Sequence, residues 1–220
     1  MLKNIIKVSI IFMCVAYLSW GSGNINGPDI SFSLGGDFVG IDTVTADFSF
    51  FAPSFGLHLG LGDKFKANFN YITGEDSVGI GNSNFNLNWR QFNTSLDYKL
   101  INDDKSLWLS LLYRQFEISS SWQNMSDKDS WNGLGIGISY KPKLSENFYG
   151  SLSINYFPTL TSGIGDYSNL ELSGSLEYRF KNNDKISLIL HYTNQNLSSL
   201  SEGVDNLKIN QAGLKFKMKI

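Results

Sequence analysis

Gly133-Leu134-Gly135-Ile136-Gly137-Ile138-Ser139-Tyr140 and, one short turn later, Phe148-Tyr149-Gly150-Ser151-Leu152-Ser153-Ile154-Asn155-Tyr156 decide the fold. Apolar residues fall on alternate positions, and glycine, serine and asparagine fill most of the rest. Successive side chains of a strand point to opposite faces, so each stretch reads as a strand with one apolar face and one small, polar face. The connection over residues 142–147 is polar and opens on Pro142, so the two strands form a hairpin.

Working outward, the same period-two alternation recurs in ten rows, which open at Ile30, Phe55, Phe65, Phe92, Leu107, Leu134, Phe148, Leu170, Ile186 and Leu214. Past Pro28 no window sustains apolar residues at helical spacing. Short polar turns at Gly62-Asp63, Asn102-Asp103-Asp104, 142–147 and 181–184 alternate with longer Ser-, Asn-, Gly- and Asp-rich stretches at 40–53, 73–83, 119–130, 158–168 and 195–206. The expectation is short turns at one end and long loops at the other. All four prolines fall at strand ends or in connections, where a missing N–H breaks no ladder bond. A repeat of about 40 residues also suits a propeller, but a blade needs four short strands and each unit here supplies two long ones.

Composition narrows the function classes. Only 17% of the 220 residues are charged, against about 25% in an average soluble domain. With 18 Lys+Arg, 20 Asp+Glu and no basic run, the chain lacks the electrostatic basis for binding nucleic acid. Cys14 is the only cysteine and His58 and His191 the only histidines, so neither a disulfide framework nor a zinc site of the Cys/His type is expected, and no cofactor is called for. Lys3 and Lys7, the apolar run 8–18 and the small residues Ser19, Gly21, Ser22 and Gly23 form a secretory signal peptide pattern. A run of about 11 residues rises only about 16 Å as a helix, half of a bilayer core, so it does not span. The expected organisation is a signal peptide over 1–23 and one domain over 24–220.

Alternation alone does not say whether the apolar rows face inward or outward. Aromatic residues gather at row ends, as Tyr71, Tyr98, Tyr113, Tyr140, Phe148, Tyr156, Tyr178, Phe180 and Tyr192, where bilayer interfaces favour amphipathic rings. The opposite phase carries Gly and Ser rather than the Lys and Glu of a water-facing wall. Strand length suits a tilted membrane strand of about 9–11 residues. Together these features resemble small bacterial outer-membrane β-barrel proteins over the whole mature chain. That resemblance implies an all-β, antiparallel up-and-down transmembrane barrel of about ten strands, with short periplasmic turns and longer extracellular loops. It also implies location in the bacterial outer membrane, contact with outer-membrane lipids, and handling by the barrel assembly machinery. The closing row Leu214, Phe216, Met218, Ile220 resembles the terminal strand signal of such proteins, with Ile220 where an aromatic is usual.

The alternate residues then line the lumen. His58, Lys66, Asp97, Glu177 and Lys215 fall toward the short turns, Arg114, Glu171 and His191 toward the loops, and Lys99, Arg179, Lys217 and Lys219 at the short-turn rim. Two readings stand: paired charges that brace a narrow lumen, or a polar path for a solute. On the loop side the phase changes and apolar residues take inward parity, at Phe48, Phe50, Phe85, Leu87, Trp89, Phe116, Ile118, Trp131, Phe157, Leu207 and Ile209. They make either a dry core sealing strand ends above the membrane or a pocket or entry for an apolar solute or acyl chain. The loop stretches are acidic, with Asp42, Asp47, Glu75, Asp76, Asp127, Asp129, Asp166, Glu202 and Asp205 against Lys128. No hydroxyl has an aligned base in the sequence, so an enzyme is not expected. The leading function is porin-like, passing or capturing small solutes; the alternative is a non-conducting structural or surface-interaction barrel.

Overall fold

The computed structural model describes residues 29–42, 47–80, 83–101, 105–122, 125–163, 165–181, 183–201 and 206–220. The leader over 1–23, the turn at 102–104, and Glu202 and Asp205 lie outside the described residues. Ten strands follow one another: β1 (Asp29–Asp42), β2 (Asp47–Leu61), β3 (Phe65–Ile80), β4 (Ser83–Ile101), β5 (Lys105–Trp122), β6 (Met125–Pro142), β7 (Phe148–Leu160), β8 (Tyr167–Phe180), β9 (Asn183–Ser199) and β10 (Leu207–Lys219). Each pairs antiparallel with its neighbours in sequence, and β1 pairs with β10 to close the barrel. Closure leaves no ladder edge facing hydrocarbon, which is what a sheet needs in order to span lipid.

The apolar rows face outward. Leu34, Leu134, Ile136 and Leu152 are each more than 60% exposed, whereas Ser33, Ser110 and Ser139 on the opposite phase are buried. Register aligns the rows from strand to strand, so that Leu34 sits between Phe55 and Phe216. On the loop side the outward row ends in Phe38, Phe51, Tyr71, Phe92, Tyr113, Tyr156 and Tyr192; on the turn side Phe65 pairs with Tyr98 at 5.0 Å and Phe148 with Tyr178 at 4.9 Å. These are two aromatic girdles around an apolar band.

Three of the stretches read as long loops are mostly strand. β1 and β2 leave only 43–46 between them, β3 and β4 only 81–82, and β5 and β6 only 123–124. Pairing continues without a register shift from Phe65 to Ile80 against β4 and from Lys105 to Trp122 against β6. Ser and Asn suggested loop because their side chains carry no apolar face, but above the girdle the wall meets water and polar residues belong there: Arg90, Gln115, Glu117 and Lys128 succeed Phe92, Tyr113 and Leu134 on the outer surface. Asp42, Asp47, Glu75, Asp76, Asp127 and Asp129 are therefore strand residues.

Above the girdle the barrel wall also divides. β2 pairs with β3 only up to Ser54 and Ile72, and the continuous β6–β7 ladder runs only from Tyr140 to Ile136. Beyond those points β3–β6 rise as a four-stranded projection. The β7 irregularity lies at Pro158, which supplies no N–H: register slips by one between Phe157 and Leu160, so both side chains face inward. Gly62, with φ at 72°, turns the β2–β3 hairpin in a left-handed conformation that a Cβ disfavours.

Candidate functional site

Among the described residues, the lumen is where the fold brings chemistry-bearing residues from most strands together, and it has two chemistries. In the loop-side half the inward apolar residues pack into a dry core. Trp89 and Phe116 are fully buried, their rings 5.4 Å apart; Phe116 stacks on Trp131 at 4.8 Å, and Trp131 meets Tyr167 edge-on at 5.9 Å. Phe50, Leu87 and Phe157 belong to the same cluster, while Phe48 and Phe85 stack on each other at 5.9 Å and cap it, partly buried. All eleven residues expected at an apolar outer mouth are thus in one place, as a filled core rather than an open pocket, with Ile209 inside it and Ile118 and Leu207 packed against it. Val39, Ile41, Ile72, Leu160 and Leu197 complete it.

Directly beneath the core lies a polar belt. Arg114 Nη2 pairs with Glu171 Oε2; Arg114 Nε donates to Asn93 Oδ1 at 2.8 Å and Nη1 to Gln195 Oε1 at 3.0 Å. Asn155 Nδ2 donates to the other Glu171 oxygen at 2.6 Å, and Gln211 Nε2 to Gln91 Oε1 at 3.0 Å. The Arg114 guanidinium lies 4.4 Å over the Phe157 ring. Both ions are almost wholly buried, at 4% and 8% side-chain exposure, so the partners on every side are what make the burial tolerable. A second pair, His191 Nε2 with Asp37 Oδ1, joins β9 to β1, with Lys215 at 3.8 Å from the same carboxylate.

Sequence reading found Arg114, Glu171 and His191 but missed Asp37, Gln91, Gln195 and Gln211. A signal was there. Asp37, Gln91, Arg114, Gln195 and Gln211 each stand two residues from a residue of the loop-side core on their own strand, Val39, Trp89, Phe116, Leu197 and Ile209 respectively. The position where the inward phase turns apolar marks the belt.

The short-turn half is more polar. His58 Nε2 lies 3.2 Å from Ser33 Oγ and its Nδ1 2.9 Å from Asn68 Oδ1, and Asn68 Nδ2 donates to Asp97 Oδ2 at 2.9 Å. Lys141 pairs with Asp97 at 3.8 Å; Glu177 holds Arg179 at 3.3 Å and Lys217 at 3.9 Å; Lys219 meets Asp29 at 2.7 Å at the rim. Lys66, Lys141 and Lys99 converge on the Trp108 ring at 4.3, 5.0 and 5.5 Å from its centroid. Between them and the belt is a cavity of about 230 Å³, lined by Ser33, His58, Ser151, Ser175, His191 and Lys215 among others. Above the girdle, on the same face of β6 as Trp131, the Asp129 carboxyl is held above its ordinary range by partial burial and by neighbouring Asp127. No cluster of ligand-type residues suited to a metal occurs among the described residues.

No protein-family model and no curated protein sequence matches this chain. Solved structures do. The outer-membrane protease OmpT from Escherichia coli superposes with a TM-score of 0.58 at 11% identity, covering 88% of this chain and 96% of that one. Neisserial surface protein A gives 0.50 at 10% identity over 89% of this chain and all of that one. The translocator domain of the autotransporter NalP from Neisseria meningitidis gives 0.50 at 10% over 97% of each. At such identities the likeness is one of fold: this chain has the closed antiparallel architecture of bacterial outer-membrane barrels, and its apolar, girdled outer wall suits that membrane.

Proposed function

We propose that this protein is a sealed outer-membrane barrel whose working surface is the polar projection of β3–β6, rather than a porin. One observation carries this reading: the Trp89, Phe116, Trp131 and Tyr167 stack, at most 3% exposed, fills the loop-side lumen directly above the Arg114 belt. A solute path needs a continuous polar channel, and this column of rings opposes one. Above the girdle the projection turns a polar outer face to water, carrying Arg90, Glu117 and Lys128, which is the composition of a contact surface rather than of a lipid wall.

The reading includes no catalysis. Ser33, His58 and Asn68 have the connectivity of a hydrolase triad, but Ser33 is 2% exposed and the β1 and β2 backbone around it is engaged in ladders on both sides, leaving no backbone donor for a developing oxyanion. They serve better as a brace that leads to Asp97.

Planar-bilayer recording tests the seal. The wild-type barrel is expected to give no steady conductance steps, and the Trp89→Ala/Phe116→Ala double variant to give them. Steady steps from the wild type would favour the porin-like reading.

A further inference from the structure

The short-turn half of the lumen carries more positive charge than its own carboxylates balance. Besides the rim pair Lys219–Asp29, the cations Lys66, Lys99, Lys141, Arg179, Lys215 and Lys217 line or rim it, with the carboxylates Asp37, Asp97 and Glu177 among them. Each carboxylate already has a cation within 4 Å, Lys141 at Asp97, Arg179 at Glu177 and Lys215 at Asp37. Lys66 makes no direct ion pair among the described residues, and its ammonium sits over Trp108 beside those of Lys99 and Lys141. Like charges gathered at the mouth of a low-dielectric wall focus an attractive field on anions.

Behind this mouth is the 230 Å³ cavity, where hydroxyl and other polar side chains stand beside Gly174 and Ile189. Ser151, Ser173, Ser175 and Thr193 supply hydroxyls, and His58, Asn70 and Lys215 supply further polar groups. Register places the lysines on the turn side of it: Lys66 is one inward position below Asn68, the partner of His58, and Lys217 one below Lys215. The volume falls below the roughly 300–1,000 Å³ of drug-sized sites, which restricts the occupant to a small molecule. Lysine acts as a point charge for phosphate, and hydroxyl-lined walls suit a hydroxylated body.

We propose that the short-turn half of the lumen is a blind vestibule that binds a small hydroxylated phosphate monoester, its phosphate held by Lys66, Lys141 and Lys217 and its hydroxyls by the serine-lined cavity. The site faces the short-turn side, which is periplasmic in outer-membrane barrels.

The test is calorimetric titration of the full barrel, folded in maltoside micelles at low salt, with glycerol 3-phosphate, inorganic phosphate and glycerol. Saturable binding of glycerol 3-phosphate in the millimolar range or tighter is expected, weaker binding of phosphate, and none of glycerol. Lys66→Gln/Lys141→Gln should weaken binding at least tenfold, whereas Lys219→Gln, which removes a rim lysine paired with Asp29, should leave it unchanged. Ser175→Leu, which fills the cavity, should abolish the preference for glycerol 3-phosphate over inorganic phosphate. Circular dichroism identifies which variants are folded, and Lys66→Gln alone serves if the double variant is not. Absence of saturable binding by the wild type overturns the proposal, as does equal loss in the Lys219 variant. Binding of short-chain phosphatidylglycerol without binding of glycerol 3-phosphate also overturns it, because it would place the site on the lipid-facing wall.

Discussion

The two halves of the lumen are lined by the same inward positions of the same ten strands, yet one is a stack of aromatic rings and the other a cavity of hydroxyls and lysines. The barrel wall does not dictate this difference, since backbone geometry is continuous through both on β4 and β5. It arises where the inward residues change from Ser, Asn and Lys to Trp, Phe and Leu, and that change coincides with the loop-side girdle. Inside the membrane the apolar side chains are needed outside, and the lumen is left to polar groups that must partner one another. Above the girdle the outer face meets water, so burial of apolar surface again favours the interior, as in a soluble protein. One chain thus uses two opposite solvation rules, and the Arg114 belt is the seam between them.

Breaking the seam should have the largest effect. Arg114→Met leaves Glu171 buried with only Asn155 donating to it, and removing one partner of a buried ion pair costs about 3–5 kcal/mol. The same change combined with Glu171→Leu removes both charges and should recover most of that loss, because the pair's own net worth is small. Urea unfolding of the barrel in lipid vesicles, followed by tryptophan fluorescence, measures both. If the double variant is no more stable than the single, the belt is held by its glutamines rather than by the charge pair.

A smaller effect is expected at Gly213, where β10 passes the Asp37–His191 pair. A Cβ there would stand 2.6 Å from Gly36 O and 2.8 Å from His191 Cε1, and would run into Asp37 Oδ1. Gly213→Ala should cost about 1–3 kcal/mol by overpacking, whereas Gly163→Ala, with nothing in reach of a Cβ, should change stability little. The same unfolding experiment reads both, and equal costs would show that Asp37 and His191 shift without penalty.

Much of this arrangement is legible in the sequence, and the rest is not for identifiable reasons. Leu134, Ile136 and Ile138 declare a strand by alternation, and the glycines opposite them declare which face is lumen. The aromatic row ends locate the girdles. Arg114 and Glu171 can be named as lining charges, but not as partners: they lie 57 residues apart and meet only because closure sets β5 across from β8. Asp37 escapes because Gly35 and Gly36 interrupt the β1 alternation just before it. The projection escapes because polar residues on a strand above the membrane look like loop when the outer solvent is assumed to be lipid throughout.

The outer wall of the projection supplies the last and smallest contrast. Glu117 carries two ion pairs, with Arg90 at 3.4 Å and Lys128 at 2.9 Å, one more than Glu171 has. Counting pairs would make it the stronger anchor. Its carboxylate is only 9% exposed, but the two cations are 54% and 61% exposed, so water replaces the carboxylate around them when it is neutralised. Exposed pairs contribute about 0.2–1 kcal/mol each and are screened by salt. Glu117→Gln should therefore lower stability by no more than about 1 kcal/mol, and the loss should shrink further at high ionic strength, while the Arg114→Met loss should not. A salt-independent loss of several kcal/mol at Glu117 would mean that the projection is shielded from water as thoroughly as the lumen, and that the girdle does not mark the change of solvent.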